Sequence, residues 1–287
     1  MAALIETRAV RPGAIGEAAQ RRVRRGNLLG PGGRLMIVAA DHPARGSLGA
    51  GTRSLAMADR RDLLERLCTV LERPGVDGVL GTPDIIEDLL LLGALDGKVV
   101  IGSMNRGGLA GAVFEIDDRF TAYSAAAIGA AGLDGGKMLL RIDERDPATV
   151  ATIESCAGAV SGLAERGLMA MVEPFLSHRV DGRVRNLLTP EAMIRAIAIA
   201  SGLGTTSAYT WLKVPVVDDM ERVMAATTMP ALLLGGEVPA DPDAALAGWQ
   251  KAMRLPNVRG LVVGRSLLYP PDDDVIGAAD AAVEALW

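Results

Sequence analysis

The stretch Ala208-Tyr209-Thr210-Trp211-Leu212-Lys213-Val214-Pro215-Val216-Val217 has the pattern of a buried β-strand with a lysine near its centre. An ammonium group is costly to bury unless it is paired or loses its proton, so this amine is either structural or chemically active. The chain has 30 basic residues but only four lysines, so arginine is its ordinary cation. Because a guanidinium stays charged, a lysine inside an apolar strand indicates a need for an amine that can deprotonate. Lys137 lies in a second strand of this kind.

Short apolar runs recur along the chain, and each is followed by a longer segment with helical periodicity. The runs are Leu35–Ala40, Gly78–Gly81, Val99–Met104, Lys137–Ile142, Met169–Glu173, Trp211–Val217, Ala231–Leu234 and Gly260–Val263. Helical crossovers force neighbouring strands to be parallel, and eight such units in about 250 residues is the size of a closed (β/α)8 barrel. The sequence therefore predicts an α/β fold, with a (β/α)8 barrel over residues 34–287 and an N-terminal extension over residues 1–33. A doubly wound open sheet is the alternative.

Several helix N-termini are marked by a capping residue followed by proline. The pairs are Thr82-Pro83, Asp146-Pro147, Thr189-Pro190 and Asp241-Pro242. A capping side chain accepts a free backbone N–H, and proline fits the first helical position, so a helix is predicted to begin at each pair. Strand, cap and helix follow one another repeatedly, as a barrel requires.

Composition and charge exclude several classes of protein. With a net charge of −5, the chain lacks the basic surface that nucleic acids and anionic membranes require. The one basic run, Arg21-Arg22-Val23-Arg24-Arg25, is interpreted as the solvated face of a short helix from Pro12 to about Arg25. Two cysteines and two histidines supply neither a disulfide framework nor an imidazole zinc site, although a carboxylate-bound Mg²⁺ is compatible with the sequence. No segment has the pattern of a signal peptide or a membrane span, so we expect a cytoplasmic protein.

Charged residues lie on one face of several predicted strands, near their carboxyl ends. Side chains alternate along a strand, so Lys213 shares the inward face with Trp211, and Lys137 points inward from its own strand. Asp41 follows the first strand and Glu173 ends the fifth. Active sites of (β/α)8 barrels lie at this end of the strands, so these four charged residues are predicted to converge. For each of them a structural role, as a cap, a solvated charge or an ion-pair partner, is the alternative.

The last two predicted strands end in glycine-containing loops. Gly235 and Gly236 follow the seventh strand, and Gly264 and Arg265 follow the eighth. In this fold the corresponding loops commonly form a phosphate site, where glycine lets backbone N–H groups approach the ligand and arginine adds a bidentate charge. The sequence therefore predicts a phosphate-binding end of the site at these four residues.

These strand ends resemble the class I, Schiff-base aldolases, the group that contains archaeal-type fructose-bisphosphate, tagatose-bisphosphate and deoxyribose-phosphate aldolases. The motifs lie one per strand: Ala39-Ala40-Asp41-His42, Gly136-Lys137-Met138-Leu139-Leu140, Val172-Glu173-Pro174, Leu212-Lys213-Val214-Pro215, Leu234-Gly235-Gly236 and Val263-Gly264-Arg265. The chain is also similar to an actinobacterial branch of (β/α)8 barrels found beside enzymes of inositol breakdown. It departs from the fructose-bisphosphate branch at Pro43, where that branch has glycine, and over Ser103–Gly108.

The resemblance implies a lyase of carbohydrate metabolism in which Lys213 forms an imine with a ketone. Glu173 would move protons, Lys137 would supply a nearby cation, and Asp41 would orient Lys213 or a substrate hydroxyl. The iminium replaces a metal, so no cofactor is implied, and the substrate would be a small sugar phosphate or keto acid. A homo-oligomer is expected. Two alternatives stay open: a Schiff-base transferase or thiolase on the same barrel, and a sugar-phosphate-binding regulatory protein without turnover.

Overall fold

The computed structural model describes residues 1–30, 32–239 and 241–287. Within these ranges eight parallel strands form a closed ring, in which the last strand pairs with the first. The strands in chain order are β1 (Leu35–Ala39), β2 (Gly78–Gly81), β3 (Val99–Ser103), β4 (Gly135–Ile142), β5 (Met169–Val180), β6 (Arg183–Asn186), β7 (Thr210–Val214), β8 (Ala231–Leu234) and β9 (Val258–Val263). All except β6 belong to the ring, so the predicted (β/α)8 barrel is confirmed and the open sheet is excluded.

The helices alternate with the barrel strands. In the described ranges they are α1 (Ala2–Val10), α2 (Ala14–Arg21), α3 (Arg60–Glu72), α4 (Pro83–Leu91), α5 (Ala125–Ala130), α6 (Ala148–Ala164), α7 (Pro190–Ser201), α8 (Met220–Met224), α9 (Pro242–Ala252), α10 (Arg265–Leu268) and α11 (Val275–Glu284). Helices α4, α7 and α9 begin at the predicted prolines, and Thr189 and Asp241 accept N–H groups of their first turns. Helix α6 begins one residue later than predicted, after Pro147.

The N-terminal segment differs from its prediction in two ways. Helix α1 was not predicted, and α2 ends at Arg21 instead of continuing to Arg25. The chain leaves the helix because Arg22 turns inward, where it is 7% exposed and donates to the backbone carbonyls of Lys98 at 2.9 Å and Gly132 at 2.6 Å. The interpretation of the basic run as a solvated helix face is therefore wrong for Arg22, which anchors the extension to the barrel.

An antiparallel hairpin extends the barrel rim beyond β5. Strand β5 continues past Glu173 to Val180, turns at Asp181-Gly182 and returns as β6. Asp181 and Gly182 have φ values of 49° and 76°, as a two-residue hairpin turn requires. The apolar run predicted a strand over Met169–Glu173, so β5 is longer than predicted and β6 was not predicted.

The barrel interior is apolar along most of the strands and charged at their carboxyl ends. Leu35, Ile37, Val99, Ile101, Met169, Met171, Leu232 and Val262 belong to one buried interior cluster, and Trp211 packs against it. One strand period further on, β5 presents Glu173 after Met171 and β7 presents Lys213 after Trp211. The charged residues therefore form the top interior layer, at the carboxyl ends of the strands. No helix in the described parts of the chain is long and apolar enough to cross a membrane.

Candidate active site

The structure brings the four charged residues into one continuous cluster. Lys213 Nζ lies 3.0 Å from Glu173 Oε1, and Lys137 Nζ contacts the other carboxylate oxygen, Oε2. Lys137 Nζ also lies 3.4 Å from Asp41 Oδ2. All four residues are between 2% and 8% exposed. One carboxylate, Glu173, therefore bridges two buried lysines that come from different strands.

Both carboxylates of the cluster are held in the ionised form. Burial alone would raise the pKa of Glu173, but Lys137 and Lys213 outweigh it and lower that pKa to about 2. Burial likewise opposes ionisation of Asp41, yet Arg106 and Lys137 hold the pKa of its carboxyl well below the usual range. At neutral pH the site thus offers two anions as proton or hydrogen-bond acceptors.

The two lysines differ in their contacts more than in their exposure. The Lys137 side chain is 3% exposed and that of Lys213 is 6%, so both amines are buried to a similar degree. Burial lowers the pKa of Lys137 to about 8, with Lys213 and Arg106 adding to the effect and Asp41 and Glu173 opposing it. Lys137 touches both carboxylates, whereas Lys213 touches only Glu173.

Two further residues bind Asp41 and were not predicted. Ser103 Oγ donates to Asp41 Oδ2 at 3.1 Å, and Arg106 Nη2 lies 3.0 Å from the same oxygen. Arg106 Nη1 also donates to the Asp41 backbone carbonyl at 2.7 Å. Ser103 shares the inward face of β3 with Val99 and Ile101, so strand periodicity could have identified it. Arg106 lies in a loop, where no periodicity indicates direction.

His42 lies between the charged cluster around Asp41 and the predicted phosphate-site residue Gly264. It precedes the short 3-10 helix at Pro43–Arg45, as a turn residue would, but its Nδ1 is also 3.9 Å from Asp41 Oδ1. Burial lowers the pKa of His42 to about 3; Asp41 acts to raise this pKa, while the cations Arg265 and Lys213 lower it further. The imidazole is therefore neutral at neutral pH.

The four predicted phosphate-site residues lie together where β8 and β9 end. A Cβ on Gly235 would lie 2.5 Å from a valine methyl of β9, and one on Gly264 would lie 2.5 Å from a carbonyl oxygen of β1. These glycines allow the strand ends to approach closely. Arg265 Nη1 donates to Glu237 Oε2 at 2.6 Å and Nη2 donates to the Gly236 carbonyl at 3.3 Å. The Glu237 side chain is 77% exposed, so an anionic ligand could displace it from the guanidinium.

The closed (β/α)8 barrel is similar in fold to solved fructose-1,6-bisphosphate aldolases. A Schiff-base-forming fructose-1,6-bisphosphate aldolase superposes with a TM-score of 0.67 at 19% identity, over 95% of this chain and 100% of that chain. An archaeal fructose 1,6-bisphosphate aldolase gives a TM-score of 0.66 at 18% identity, over 95% and 98% of the two chains. At such identities the similarity shows the fold, and the predicted resemblance is confirmed at that level.

A more similar structure is that of Cgl0159 from Corynebacterium glutamicum. It is 54% identical, with a TM-score of 0.97, over 99% of this chain and 95% of that chain. The family model described as Cgl0159-like matches residues 33–283. This chain therefore belongs to the Cgl0159-like family. No curated protein matches it.

Proposed function

We propose that the protein is a class I aldolase, a lyase that cleaves or forms a carbon–carbon bond of a ketose or keto-sugar acid through an imine on Lys213. The observation that carries the proposal is the position of Glu173, whose two carboxylate oxygens contact Lys213 and Lys137 in the buried top layer of the barrel. A nucleophilic amine, a second amine and a shared carboxylate supply the groups that imine formation needs.

Imine formation begins with neutral Lys213, whose nitrogen attacks the substrate ketone to give a carbinolamine. Loss of water then gives the iminium, and Glu173 and Lys137 move the protons. The low pKa of Glu173 belongs to the state in which both lysines are protonated. When Lys213 loses its proton, one of the two charges that lower this pKa is gone, so Glu173 becomes a stronger base at the step that needs one. Lys137, with its pKa of about 8, can donate a proton near neutrality.

Bond cleavage uses the iminium as the acceptor of an electron pair. The hydroxyl proton of the substrate passes to a carboxylate, the adjacent carbon–carbon bond breaks, an aldehyde leaves, and an enamine stays on Lys213. Asp41 suits the hydroxyl because its Oδ2 accepts hydrogen bonds from Ser103 and Lys137 and lies 3.0 Å from Arg106 Nη2, while its Oδ1 accepts no hydrogen bond from the described residues. For a phosphorylated substrate, we propose that Gly235, Gly236, Gly264 and Arg265 hold the phosphate.

Reductive trapping tests the proposal. Incubation with a ketose phosphate and borohydride should add the mass of the ketone less one oxygen atom to the peptide that contains Trp211–Val217, because imine formation expels water and reduction adds two hydrogens. Lys213→Arg should abolish trapping because a guanidinium cannot attack, whereas Lys137→Arg keeps the charge and should leave trapping detectable with slower turnover. The opposite pattern would make Lys137 the nucleophile. Aldol product without any trapped ketone would remove the imine mechanism.

The same preparations distinguish the alternative functions. Turnover that depends on coenzyme A as an acceptor would indicate a transferase or thiolase. Ligand binding without product, under conditions that trap no imine, would indicate a regulatory protein.

A further inference from the structure

The loop after β3 places Arg106 over the site and is anchored on both sides. Asn105 Nδ2 donates to the Leu139 carbonyl of β4 at 2.6 Å, and Asn105 Oδ1 accepts the Leu139 N–H at 2.8 Å. From the loop after β1, Arg45 Nη2 donates to the Asn105 carbonyl at 2.7 Å and to Asp118 Oδ2 at 2.5 Å. These buried bonds fix the loop, so Arg106 belongs to a built wall of the barrel mouth.

The charges in one set of buried ion pairs at the mouth do not balance. Among the described residues, these pairs join five buried cations and four buried carboxylates, and they do not include Arg265 or Asp143. They are Arg45, Arg106, Lys137, Arg141 and Lys213, with Asp41, Glu115, Asp118 and Glu173. Arg45 pairs with Asp118, and Arg141 pairs with Glu115 at 2.8 Å. Three cations therefore share two carboxylates, Asp41 and Glu173, and one positive charge is left over.

The excess charge persists through the proposed reaction. Lys213 must lose a proton to attack, but the iminium that forms restores the positive charge at the same nitrogen. Burial lowers the pKa of Arg106 to about 10, which leaves its guanidinium charged at neutral pH. A buried charge without a counter-ion is costly, so the imine state is stabilised by a substrate that brings one negative charge into the mouth.

Arg106 is the member of the cluster best placed to bind that charge. Its Nη2 is buried and, although 3.0 Å from Asp41 Oδ2, has no well-aligned acceptor. The contacts run from Arg106 through Asp41, Lys137 and Glu173 to Lys213, so Arg106 lies away from the imine nitrogen. The guanidinium reaches the Asp41 carbonyl at the end of β1, and Arg106 has no ion pair with Lys213 among the described residues. An anion at Arg106 would thus bind at a part of the substrate other than the ketone.

We propose that Arg106 binds a terminal carboxylate of an open-chain keto acid, at the end remote from the ketone. A carboxylate matches the planar fork of a guanidinium, and its single charge equals the excess, whereas a second phosphate dianion would exceed it. This inference rests on the proposed function. When the bond breaks, its electron pair enters the iminium to form the enamine, the hydroxyl proton passes to Asp41 or Glu173, and the aldehyde that leaves carries the carboxylate.

Matched ketone probes test this specificity. We compare borohydride trapping of 5-oxohexanoate, whose carboxylate is remote from the ketone, with trapping of the neutral 5-oxohexanamide. For the wild type, the probe concentration that gives half-maximal trapping should be at least about tenfold lower for the acid than for the amide. A factor of this size corresponds to the free energy of one charged hydrogen bond. Arg106→Met should bring the two probes within about twofold, and Arg106→Lys should be intermediate. Arg141→Lys, at an equally buried arginine whose charge Glu115 already balances, should keep the preference.

The outcomes separate this inference from the aldolase proposal. Equal trapping of acid and amide by the wild type would overturn the carboxylate site. Equal weakening of both probes in Arg106→Met would overturn it too, because Arg106 would then only position Asp41. If no ketone is trapped, the imine mechanism fails, and thermal shifts still decide the binding site. The acid should raise the melting temperature of the wild type more than the amide does, and the difference should vanish in Arg106→Met; no difference in the wild type would refute the site.

Discussion

Replacing Glu173 by glutamine should separate imine formation from carbon–carbon bond cleavage. The amide keeps the shape of the side chain and can still accept a hydrogen bond from one lysine, but it removes the charge between them. Glu173 Oε1 is 3.0 Å from Lys213 Nζ, and Oε2 contacts Lys137. We expect Glu173→Gln to leave a trappable imine and to slow turnover by about 10²- to 10⁴-fold, the contribution of a positioned proton carrier.

The cost of this substitution to stability follows from the pKa of Glu173. The fall from an ordinary 4.5 to about 2 means that the folded site favours the charged carboxyl by about 3 kcal/mol, at roughly 1.4 kcal/mol per unit. Because the folded pKa is the lower one, this stabilisation is fully present above pH 4.5 and is lost as the pH falls toward 2. Glu173→Gln should therefore be about 3 kcal/mol less stable than the wild type at pH 7, and the difference should shrink below pH 4.5.

Urea unfolding at pH 7, 4.5 and 3 measures the stability difference, and the trapping and turnover assays run on the same preparations. Glu115→Gln is the matched control, because Glu115 is also 8% exposed at the barrel mouth but pairs with Arg141 and contacts neither lysine. It should leave trapping and turnover close to wild type. Turnover of Glu173→Gln within about threefold of wild type would remove the proton-carrier role. A stability difference that is independent of pH would mean that Glu173 is not the charged bridge between the lysines.

Two further predictions concern the phosphate end and metals. Arg265→Ala should weaken binding of a phosphorylated ketose by about 1.5–3 kcal/mol in calorimetry and leave trapping of a small unphosphorylated ketone nearly unchanged. Glu237→Gln, which removes the present partner of Arg265, should strengthen phosphate binding, and equal damage to both ligands in Arg265→Ala would make that arginine structural. Turnover should survive exhaustive EDTA treatment, because the iminium accepts the electron pair. Loss of turnover restored by Zn²⁺ or Mg²⁺ would instead indicate a metal-dependent aldolase.

The fold could be predicted because its signals are periodic. Apolar runs, N-caps and prolines recur with the (β/α) unit, and closure of eight strands follows from their number and spacing. The β5–β6 hairpin and the path of Arg22 could not be predicted in this way. The hairpin depends on a left-handed turn at Asp181-Gly182, and Arg22 turns inward to reach carbonyls that come from distant parts of the sequence.

The sequence could predict which strands carry the charged residues of the candidate site, but not which of these side chains contact one another. Alternation placed Lys137 and Lys213 on the inward face, whereas Asp41 and Glu173 were predicted from their positions at the ends of two strands. It could not show that Glu173 bridges both lysines, because that contact depends on the relative register of β4, β5 and β7. It also gave no sign of Arg106, whose direction is set by loop anchors rather than by a repeating pattern.

The buried arginines and the buried lysines at the barrel mouth make different kinds of contact. Where a permanent charge holds a loop or a carboxylate in place, the chain has arginine, as at Arg45, Arg106 and Arg141. Lysine occurs in this buried layer at Lys137 and Lys213, which share a carboxylate that can take a proton. Because a guanidinium stays charged, lysine rather than arginine at these two positions fits the proposed imine chemistry, which needs an amine that can deprotonate. A purely structural site would tolerate arginine at both positions, whereas an imine site tolerates it at only one.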